Sequence, residues 1–262
     1  DKKINPDTMT VERLVEDTHE VTEYLKTRFG QERIYLAGQS WGSYLGVKTI
    51  ERYPGDYLAY VGIGQVTDQT ASERLAHAYM LRRAKEQGDG EAAEELASYD
   101  PYAEDFPQLH YLVKVRTELL NKYGIGHLHR GITFREMMKA LFVFRGYTPQ
   151  EKIGWLLGAD FSMVHLFPVI LADNLFQSSV HFEVPFYIVQ GAYDYQVSQV
   201  LAKRYMEGLT APKKAFFPFA KSAHSPNMEE SEQFAAVFRQ IAAENPRVDR
   251  AAPCHKKRLG SG

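Results

Sequence analysis

Apolar residues recur with two different spacings along the chain, and the spacing predicts where helices and strands lie. From residue 11 to residue 29 they recur every three or four positions, which predicts an amphipathic helix with Thr10 as its N-cap and Gly30 as its stop. Three elements are predicted next: a strand at Arg33–Ala37, a helix from about Trp41 to Tyr53, and a strand at Tyr57–Ile63. A strand, a helix and a strand in this order form a βαβ unit, so the two strands are expected to be parallel.

The pattern changes between about Thr67 and His181, where helical spacing dominates and no convincing strand is found. This stretch is interpreted as a helical cap, residues 67–181, inserted into an α/β core made of residues 1–66 and 182–246. Its later part is rich in aromatic and sulfur-containing side chains. Two interpretations of these side chains stay open: a second hydrophobic core, or the apolar wall of a pocket.

The alternation of strands and helices returns after the insertion. The elements predicted there are a buried strand at Val184–Gln190, a helix at about Ser198–Leu209, a short strand at Ala215–Phe219, and a last helix that Asn245-Pro246 closes. Pro218 cannot donate a hydrogen bond to a neighbouring strand, so its strand is expected near an edge of the sheet. The predicted fold class is therefore α/β, with a mostly parallel sheet and an inserted helical cap.

Composition limits the kinds of partner that the chain can have. With 262 residues, 44% hydrophobic residues, 24% charged residues and a formal net charge of −2, it has the composition of an ordinary globular protein. The near-neutral charge argues against nucleic acid or an anionic membrane as a partner. No apolar run approaches the roughly 20 residues that span a bilayer, so no membrane span is expected. The oligomeric state is left open.

Other signals in the sequence bear on location and cofactors. The single cysteine, Cys254, lies in a polar tail predicted at residues 247–262, so the fold is not expected to depend on a disulfide. No signal peptide is visible, which favours a cytoplasmic location, although a leader upstream of Asp1 stays open. The histidines show no metal-ligand spacing, and neither a phosphate loop nor a dinucleotide glycine motif occurs, so no metal or cofactor is expected.

A five-residue motif, Gly38-Gln39-Ser40-Trp41-Gly42, lies between the first predicted strand and its helix. It fits G-x-S-x-G, the nucleophile elbow, in which a sharp turn lifts a serine hydroxyl above the sheet. The turn is expected to be so tight that Gly38 and Gly42 must both lack side chains. The backbone N–H of Trp41, at the start of the helix, is expected to stabilise an oxyanion.

A serine hydroxyl needs a base to take its proton, and the base needs an acid to hold its tautomer. Ser40, Asp194 and His224 occur in the chain order that serves this chemistry in α/β proteins, and each follows a predicted strand. Among nine histidines, His224 alone lies in a loop between a late strand and the last helix. Asp68, after the second strand, is the rival for the role of the acid.

Four segments resemble the α/β-hydrolase superfamily, in the branch that includes the proline iminopeptidases: residues 34–43, 59–65, 190–197 and 222–230. The resemblance extends from about Thr10 to Ala243. It implies an α/β-hydrolase fold and a serine hydrolase that forms an acyl-enzyme, with a short peptide that has a free N-terminus, or a related small amide or ester, as substrate. A carboxylesterase-like hydrolase and a non-catalytic binding protein of this fold are the alternatives.

Two features depart from the family pattern. Gln39 stands where proline iminopeptidases typically have glycine. The strands and the His-Gly-Gly-Pro-type loop that precede the first helix in such proteins, and complete the oxyanion hole, are not seen, so the sequence is expected to be N-terminally incomplete. The strand before the elbow is then expected to have an open apolar edge, and the chain alone to be poorly soluble or inactive.

The resemblance also raises the question of how a substrate amine would be recognised. Proline iminopeptidases bind it through acidic residues of the cap. Glu73, Glu136 and Glu151 are candidates by their position alone. The alternative for each is an ordinary solvated charge on a helix.

Overall fold

Four parallel strands form a single sheet in the computed structural model, which describes residues 5–130 and 134–247. The predicted polar tail, with Cys254, lies outside the described residues from position 248 onward. The strands are β1 Ile34–Gln39, β2 Tyr57–Ile63, β3 Phe186–Gly191 and β4 Lys214–Phe219. They lie in the order β1-β2-β3-β4, and β2 and β3 are buried along their whole length. The predicted parallel sheet is therefore confirmed.

Each edge strand of the sheet has a partner on one side only within the described residues. β4 forms one edge, where Pro218 lies opposite Gln190, so the predicted edge position of this strand is confirmed. β1 forms the other edge, and all of its residues except Gly38 are half-buried or exposed. The strand before the elbow thus has one unpaired edge among the described residues, as its predicted position requires.

The helices, in chain order, are α1 Val11–Phe29, α2 Trp41–Arg52, α3 Gln69–Glu86, α4 Gly90–Ala97, α5 Thr117–Lys122, α6 Phe134–Val143, α7 Pro149–Ala172, α8 Leu175–Ser178, α9 Gln199–Gly208, α10 Pro226–Glu229 and α11 Ser231–Glu244. A π-helical segment, Tyr111–Arg116, runs directly into α5. Both predicted ends of α1 are confirmed. Thr10 Oγ1 accepts a hydrogen bond from Arg13 N at 3.2 Å, and Gly30 has a left-handed backbone with φ of 62°.

Different helices cover the two faces of the sheet. Successive residues of a strand point to opposite faces, so Tyr60 and Val61 of β2 belong to different apolar clusters. Tyr60 lies in the cluster that also contains Tyr205 of α9 and residues of α1 and α2. Val61 lies in the cluster that contains Ile241 of α11. Burial of apolar surface on both faces stabilises the layered arrangement.

The insertion between β2 and β3 consists of helices and connecting loops and contains no strand among its described residues; one isolated bridge joins Asp68 to Asn174 near its two ends, and another joins His181 to Thr210. It has an apolar cluster of its own, in which Met80 is fully buried. Met163 and Phe167 pack against this cluster, whereas Phe144 and Trp155 are exposed. The second-core interpretation therefore holds for some of the aromatic and sulfur-containing side chains and fails for others.

One helix of the insertion contradicts the expectation that no segment is long and apolar enough to cross a membrane. α7 has 24 residues, and its most apolar window has a mean hydropathy of 1.6, with 12% of that window buried. The expectation was wrong because it counted uninterrupted apolar residues, whereas α7 reaches this hydropathy with a few charged residues in the helix. Length and composition alone do not make a membrane span. Leu166 and Ile170 of α7 are buried in the cluster that covers the sheet.

The end of the insertion is tied to α2 by contacts around Asp173, the residue after α7. Lys48 Nζ lies 2.9 Å from Asp173 Oδ2, and Tyr44 Oη donates to the same oxygen at 2.9 Å. Ser178 Oγ donates to Oδ1 at 2.8 Å. Burial tends to raise the pKa of Asp173, but these three donors outweigh it and hold the pKa below its usual value of 3.8. The helix that starts at the elbow is thereby anchored to the insertion.

Asp173→Asn is expected to lower the free energy of unfolding at neutral pH by about 1 kcal/mol, a value discounted for partial solvent exposure. Because the folded-state pKa lies below the unfolded-state pKa, the ionised group contributes fully above the unfolded pKa and loses its contribution as the pH falls through the folded pKa. In urea unfolding, the difference between the parent and Asp173→Asn should therefore shrink from about pH 7 to about pH 3. A constant difference would contradict this account.

Candidate active site

Ser40 is the single residue between β1 and α2, and its backbone has a positive φ. Its φ is 55° and its ψ is −123°, and it is the one non-glycine residue with positive φ in the part of the chain that the structure describes. This conformation costs energy for a residue with a Cβ atom. Three hydrogen bonds hold it: Ser40 N donates to Ile63 O at 2.8 Å, and Ser40 O accepts from Ser43 N at 2.8 Å and from Ser43 Oγ at 2.6 Å. The serine therefore stands at the C-terminal end of β1, where an elbow places it.

The two glycines of the motif differ in the space around them. A Cβ atom on Gly38 would lie 2.1 Å from Gly42 O, so a side chain there would force the turn apart. A Cβ atom on Gly42 would meet nothing within 4 Å among the described residues. The expectation that both must lack side chains is thus right for Gly38 and wrong for Gly42. The physical reason is that Gly42 enters the close contact through its carbonyl oxygen.

Asp194 and His224 form a buried hydrogen-bonded pair. Asp194 lies in the turn after β3, His224 lies in the loop after β4, and His224 Nδ1 is 2.8 Å from Asp194 Oδ2. Their exposed fractions are 1% and 4%. Val197 N donates to the other carboxylate oxygen, Oδ1, at 3.0 Å, so the buried carboxylate has partners on both sides. With Nδ1–H donating to Asp194, the lone pair of a neutral imidazole is on Nε2.

Contacts of the neighbouring residues bring this pair to the elbow. Gln39, which departs from the family pattern, donates through Nε2 to His224 O at 3.1 Å. Gly64, with φ of 58°, passes so close that a Cβ atom there would lie 2.8 Å from His224 Cε1 and 3.3 Å from Asp194 Oδ2. Ser40, Asp194 and His224 therefore meet at the C-terminal edge of the sheet. Ser40 and His224 share no side-chain hydrogen bond in the described structure, and such contacts often tighten only when substrate binds.

Asp68, the rival acid, has other partners. One oxygen accepts a hydrogen bond from Ala71 N at 2.8 Å and so caps α3. The other accepts from Asn174 Nδ2 at 3.0 Å. Both oxygens are occupied, and neither bonds to a histidine within the described residues. The geometry therefore favours Asp194 as the acid.

Trp41 borders the elbow on the side of α2. It is the first residue of that helix, so its backbone N–H has no carbonyl of the preceding turn to donate to. Its indole Nε1 is buried and has no hydrogen-bond partner among the described residues. The ring also lines an apolar cleft of about 370 Å³, whose lining residues are Leu14, Trp41, Ser162, Met163, Leu166 and Phe167. Trp41, the residue after Ser40, is thus part of the cleft wall.

A loop of the insertion, residues 124–129, contacts both strand-end segments that carry the buried pair. Gly126 O accepts a hydrogen bond from His224 N at 3.1 Å. Ile125 O accepts one from Tyr195 N, the residue after Asp194, at 3.1 Å. No local sequence pattern predicts the contacts of this loop, because its partners lie some 70 to 100 residues further along the chain.

Glu229 strengthens the same junction and was also missed. Its Oε1 accepts from His129 N at 2.7 Å, and its Oε2 accepts from Ala223 N at 2.9 Å. One carboxylate therefore bridges the loop of the insertion and the loop that carries His224. The segment around Glu229 contributes to the family resemblance, but its partner 100 residues away becomes visible only in the folded chain.

A second histidine, His127, stands close to the pair. It is half-buried, and its ring makes no hydrogen bond within the described residues. Burial lowers its pKa, and the nearby His224 lowers it further, so the ring is neutral at neutral pH. Spacing along the chain cannot show this proximity and does not distinguish His127 from the other histidines of the insertion.

The three acidic residues considered for amine binding have different environments. Glu73 is fully buried, and its Oε2 lies 2.6 Å from Arg116 Nε. A solvated charge was therefore the wrong alternative for Glu73, because a buried carboxylate needs a partner. Glu151 forms a capping box with Thr148 at the start of α7. Glu136 lies on an exposed part of α6.

One cluster in the described chain has the composition of a metal site. The ligand atoms of His19, Glu23 and Asp56 lie within 4.8 Å of one another. Lys26 Nζ lies between the carboxylates, 2.6 Å from Glu23 Oε1 and 2.7 Å from Asp56 Oδ1. The cluster precedes the N-terminal end of β2, at the opposite end of that strand from the elbow. Lys26 pairs with both carboxylates and His19 Nδ1 lies 2.8 Å from Asp56 Oδ2, so the cluster is satisfied as a network of ion pairs and hydrogen bonds.

The sequence is similar to that of a bacterial aminopeptidase. Over 247 residues it is 30% identical to the probable aminopeptidase YbaC of Bacillus subtilis (strain 168), in an alignment that covers 92% of this chain and 75% of the relative. No protein-family model matches the chain.

The fold is similar to those of several solved hydrolases. Proline iminopeptidase from Mycobacterium smegmatis superposes with a TM-score of 0.63 at 15% identity, covering 93% of this chain and 74% of that one. An epoxide hydrolase from Bacillus megaterium superposes with a TM-score of 0.52 at 17% identity, covering 93% and 79%. The parallel sheet, the elbow at its C-terminal edge and the helical insertion define an α/β-hydrolase fold. The chain belongs to the α/β-hydrolase superfamily, in its proline iminopeptidase-like branch, and is a hydrolase.

Replacing each glycine of the elbow by alanine should change the free energy of unfolding by different amounts at the two positions. Gly38→Ala is expected to lower the free energy of unfolding by about 1–3 kcal/mol or more, because its Cβ atom would overlap Gly42 O. Gly42→Ala, in open space within a helix, is expected to be neutral or to stabilise by up to about 1 kcal/mol. Urea unfolding of the two variants beside the parent measures both effects, and equal destabilisation by the two would show that the described contact does not decide them.

Proposed function

We propose that this protein is a serine hydrolase in which Ser40 forms an acyl-enzyme. The observation that carries the proposal is the buried 2.8 Å contact between His224 Nδ1 and Asp194 Oδ2 beside a serine held at a positive φ. An aspartate–histidine pair that served packing alone would not need a strained serine next to it. Strained residues cluster at active sites, because the surrounding structure must hold them in place.

The geometry supports the following sequence of steps. Ser40 Oγ attacks the carbonyl carbon of the substrate while His224 Nε2 takes its proton, and Asp194 stabilises the imidazolium that results. His224 then passes that proton to the leaving amine or alcohol as the C–N or C–O bond breaks, which leaves the acyl group on Ser40. A water molecule, deprotonated by His224, attacks the acyl carbon, and the proton returns to Ser40 as the acid product leaves.

The negative charge on the carbonyl oxygen requires a donor beside Ser40. The backbone N–H of Trp41 is available for this role, because it begins α2 and has no intrahelical acceptor. The N-terminal end of α2 also carries the positive end of the helix dipole. Trp41 N–H is therefore proposed as one donor of the oxyanion hole.

The proposed substrate is a short peptide with a free N-terminus, or a related small amide or ester. The similarity to a probable aminopeptidase supports this choice of substrate class. The near-neutral net charge gives no support to a nucleic-acid substrate. Glu73 is not proposed to bind the substrate amine, because Arg116 already neutralises it.

A carboxylesterase-like activity is the second candidate, and the apolar cleft beside Trp41 favours it. The cleft of about 370 Å³ is lined almost wholly by apolar side chains of α1, α2 and α7. Such a surface suits an acyl or alcohol group without charge. A non-catalytic binding protein of this fold is the remaining alternative, and the meeting of Ser40, His224 and Asp194 argues against it.

Ser40→Ala is expected to abolish labelling by a fluorophosphonate probe and to lower turnover by about 10⁴-fold or more, because the nucleophile is lost. Ser98→Ala, at an exposed serine of the insertion, is the matched control and should label like the parent. Labelling is read from the intact mass of the protein and turnover from product release. Turnover of Ser40→Ala close to that of the parent would rule out the proposed mechanism.

A panel of proline and alanine naphthylamides and short-chain nitrophenyl esters should separate the two substrate classes. An aminopeptidase is expected to cleave the naphthylamides and to reject their N-acetylated forms, since acetylation removes the charged amine. Release of naphthylamine and nitrophenol is followed by absorbance. Cleavage of esters alone would remove the peptidase assignment and leave the carboxylesterase.

A further inference from the structure

Gln190 is a fully buried amide whose hydrogen bonds lie at the functional site. It is in β3, four residues before Asp194, and 0% of its surface is exposed. Its side chain accepts from Gln65 N at 2.9 Å and donates to Asp194 Oδ2 at 2.8 Å and to Val197 O at 3.1 Å. An apolar residue in this buried strand would avoid the desolvation of an amide, so a glutamine here calls for a specific role.

The chemistry of the partners fixes which way the amide faces. Gln65 N can only donate, so it must face the amide oxygen of Gln190. Val197 O can only accept, so it must face the amide nitrogen. Turning the amide over would place its nitrogen against the Gln65 N–H, donor to donor, and its oxygen against Asp194 Oδ2 and Val197 O, acceptor to acceptor. The group that Gln190 presents to Asp194 is therefore an N–H.

This N–H acts on the same carboxylate oxygen as the histidine. Asp194 Oδ2 accepts from Gln190 Nε2 and from His224 Nδ1, each at 2.8 Å. Together the two donors fix the plane of the carboxyl group, which could otherwise rotate about its Cβ–Cγ bond. Without Gln190, His224 would be the one side-chain donor to Asp194 among the described residues.

Gln190 is also connected to the elbow through hydrogen bonds. Gln65, which donates to Gln190, is followed by Val66, whose N–H donates to Ser43 Oγ at 2.9 Å. Ser43 Oγ in turn donates to Ser40 O at 2.6 Å. A path of short polar contacts thus joins the serine turn after β1 to the carboxylate in the turn after β3.

We propose that Gln190 is a positioning residue, which fixes the orientation in which the Asp194 carboxylate meets His224 and ties that orientation to the serine turn. It touches neither the substrate nor the reacting atoms, and it acts through Asp194. The inference rests on the proposed serine mechanism and adds a residue to it.

The first test measures the histidine directly, without turnover. Gln190→Met keeps the length of the side chain and removes its hydrogen bonds. A carboxylate with fewer donors accepts more strongly from His224, so the pKa of His224 should rise in a proton NMR titration. Gln190→Glu is the control that keeps a donor: a carboxyl buried beside the charged Asp194 is protonated, its O–H replaces the amide N–H, and the pKa of His224 should stay close to that of the parent. Both are compared in a Ser40→Ala background, where the other nearby titratable groups, His127 and Glu229, stay unchanged.

The second test measures turnover in the chain that keeps Ser40. Gln190→Met should lower kcat about 10-fold to 100-fold, the range that the loss of one hydrogen bond to a charged group implies, with KM within about twofold. The rising limb of the pH profile should move to higher pH, which a purely structural defect would not cause. Gln240→Met, at an exposed glutamine of α11, is the matched control and should behave like the parent.

An unchanged pKa of His224 in Gln190→Met overturns the inference, as does an activity loss that follows the folded fraction without a shift of the pH profile. If Ser40→Ala is inactive while Gln190→Met matches the parent, only the role of Gln190 fails; if Ser40→Ala stays active, the serine mechanism fails. If Gln190→Met does not fold, Gln190→Asn carries the same measurements, because its shorter side chain keeps an amide but withdraws it from Asp194.

Discussion

The reversal of the chain at Ser40 is the constraint on which the rest of the site depends. A residue with a Cβ atom in this conformation costs on the order of 1–3 kcal/mol, so its neighbours must hold it there. β2 and Ser43 supply hydrogen bonds to its backbone, and Gly38 lets the turn close on Gly42 O. The same reversal begins a helix directly after the serine. Backbone strain and a free N–H donor at Trp41 therefore have one origin.

The second requirement is a buried negative charge in the turn after β3. A carboxylate removed from water destabilises the fold unless donors surround it, and Asp194 has donors at both oxygens. Gln190 compensates this charge from β3, Val197 N from the segment between β3 and α9, and His224 from the loop after β4. Because all three strand ends lie on one edge, the compensation of the charge and the alignment of the histidine are achieved by the same contacts.

The insertion contributes to this arrangement as well as covering it. Its loop at residues 124–129 and Glu229 hold the segment that carries His224, and Asp173 ties its other end to α2. The apolar side of α7 has two uses: part of it is buried on the sheet, and part lines the cleft beside Trp41. The segment that looks like a separate cap in the sequence is thus bonded to the core at several points.

Local patterns in the sequence determined the strands and helices of the core to within one or two residues, the ends of α1, the edge position of β4 and the chain order of Ser40, Asp194 and His224. Each depends on periodicity or turn chemistry within a few neighbouring residues. The tertiary structure alone decided that Gly42 has free space and that Glu73 is buried against Arg116. It also decided that Gln190 bonds to Gln65 and Asp194 in the buried site, and that Glu229 bonds to the distant His129. These outcomes depend on which side chains meet when the layers pack, and burial then determines which polar groups must find partners.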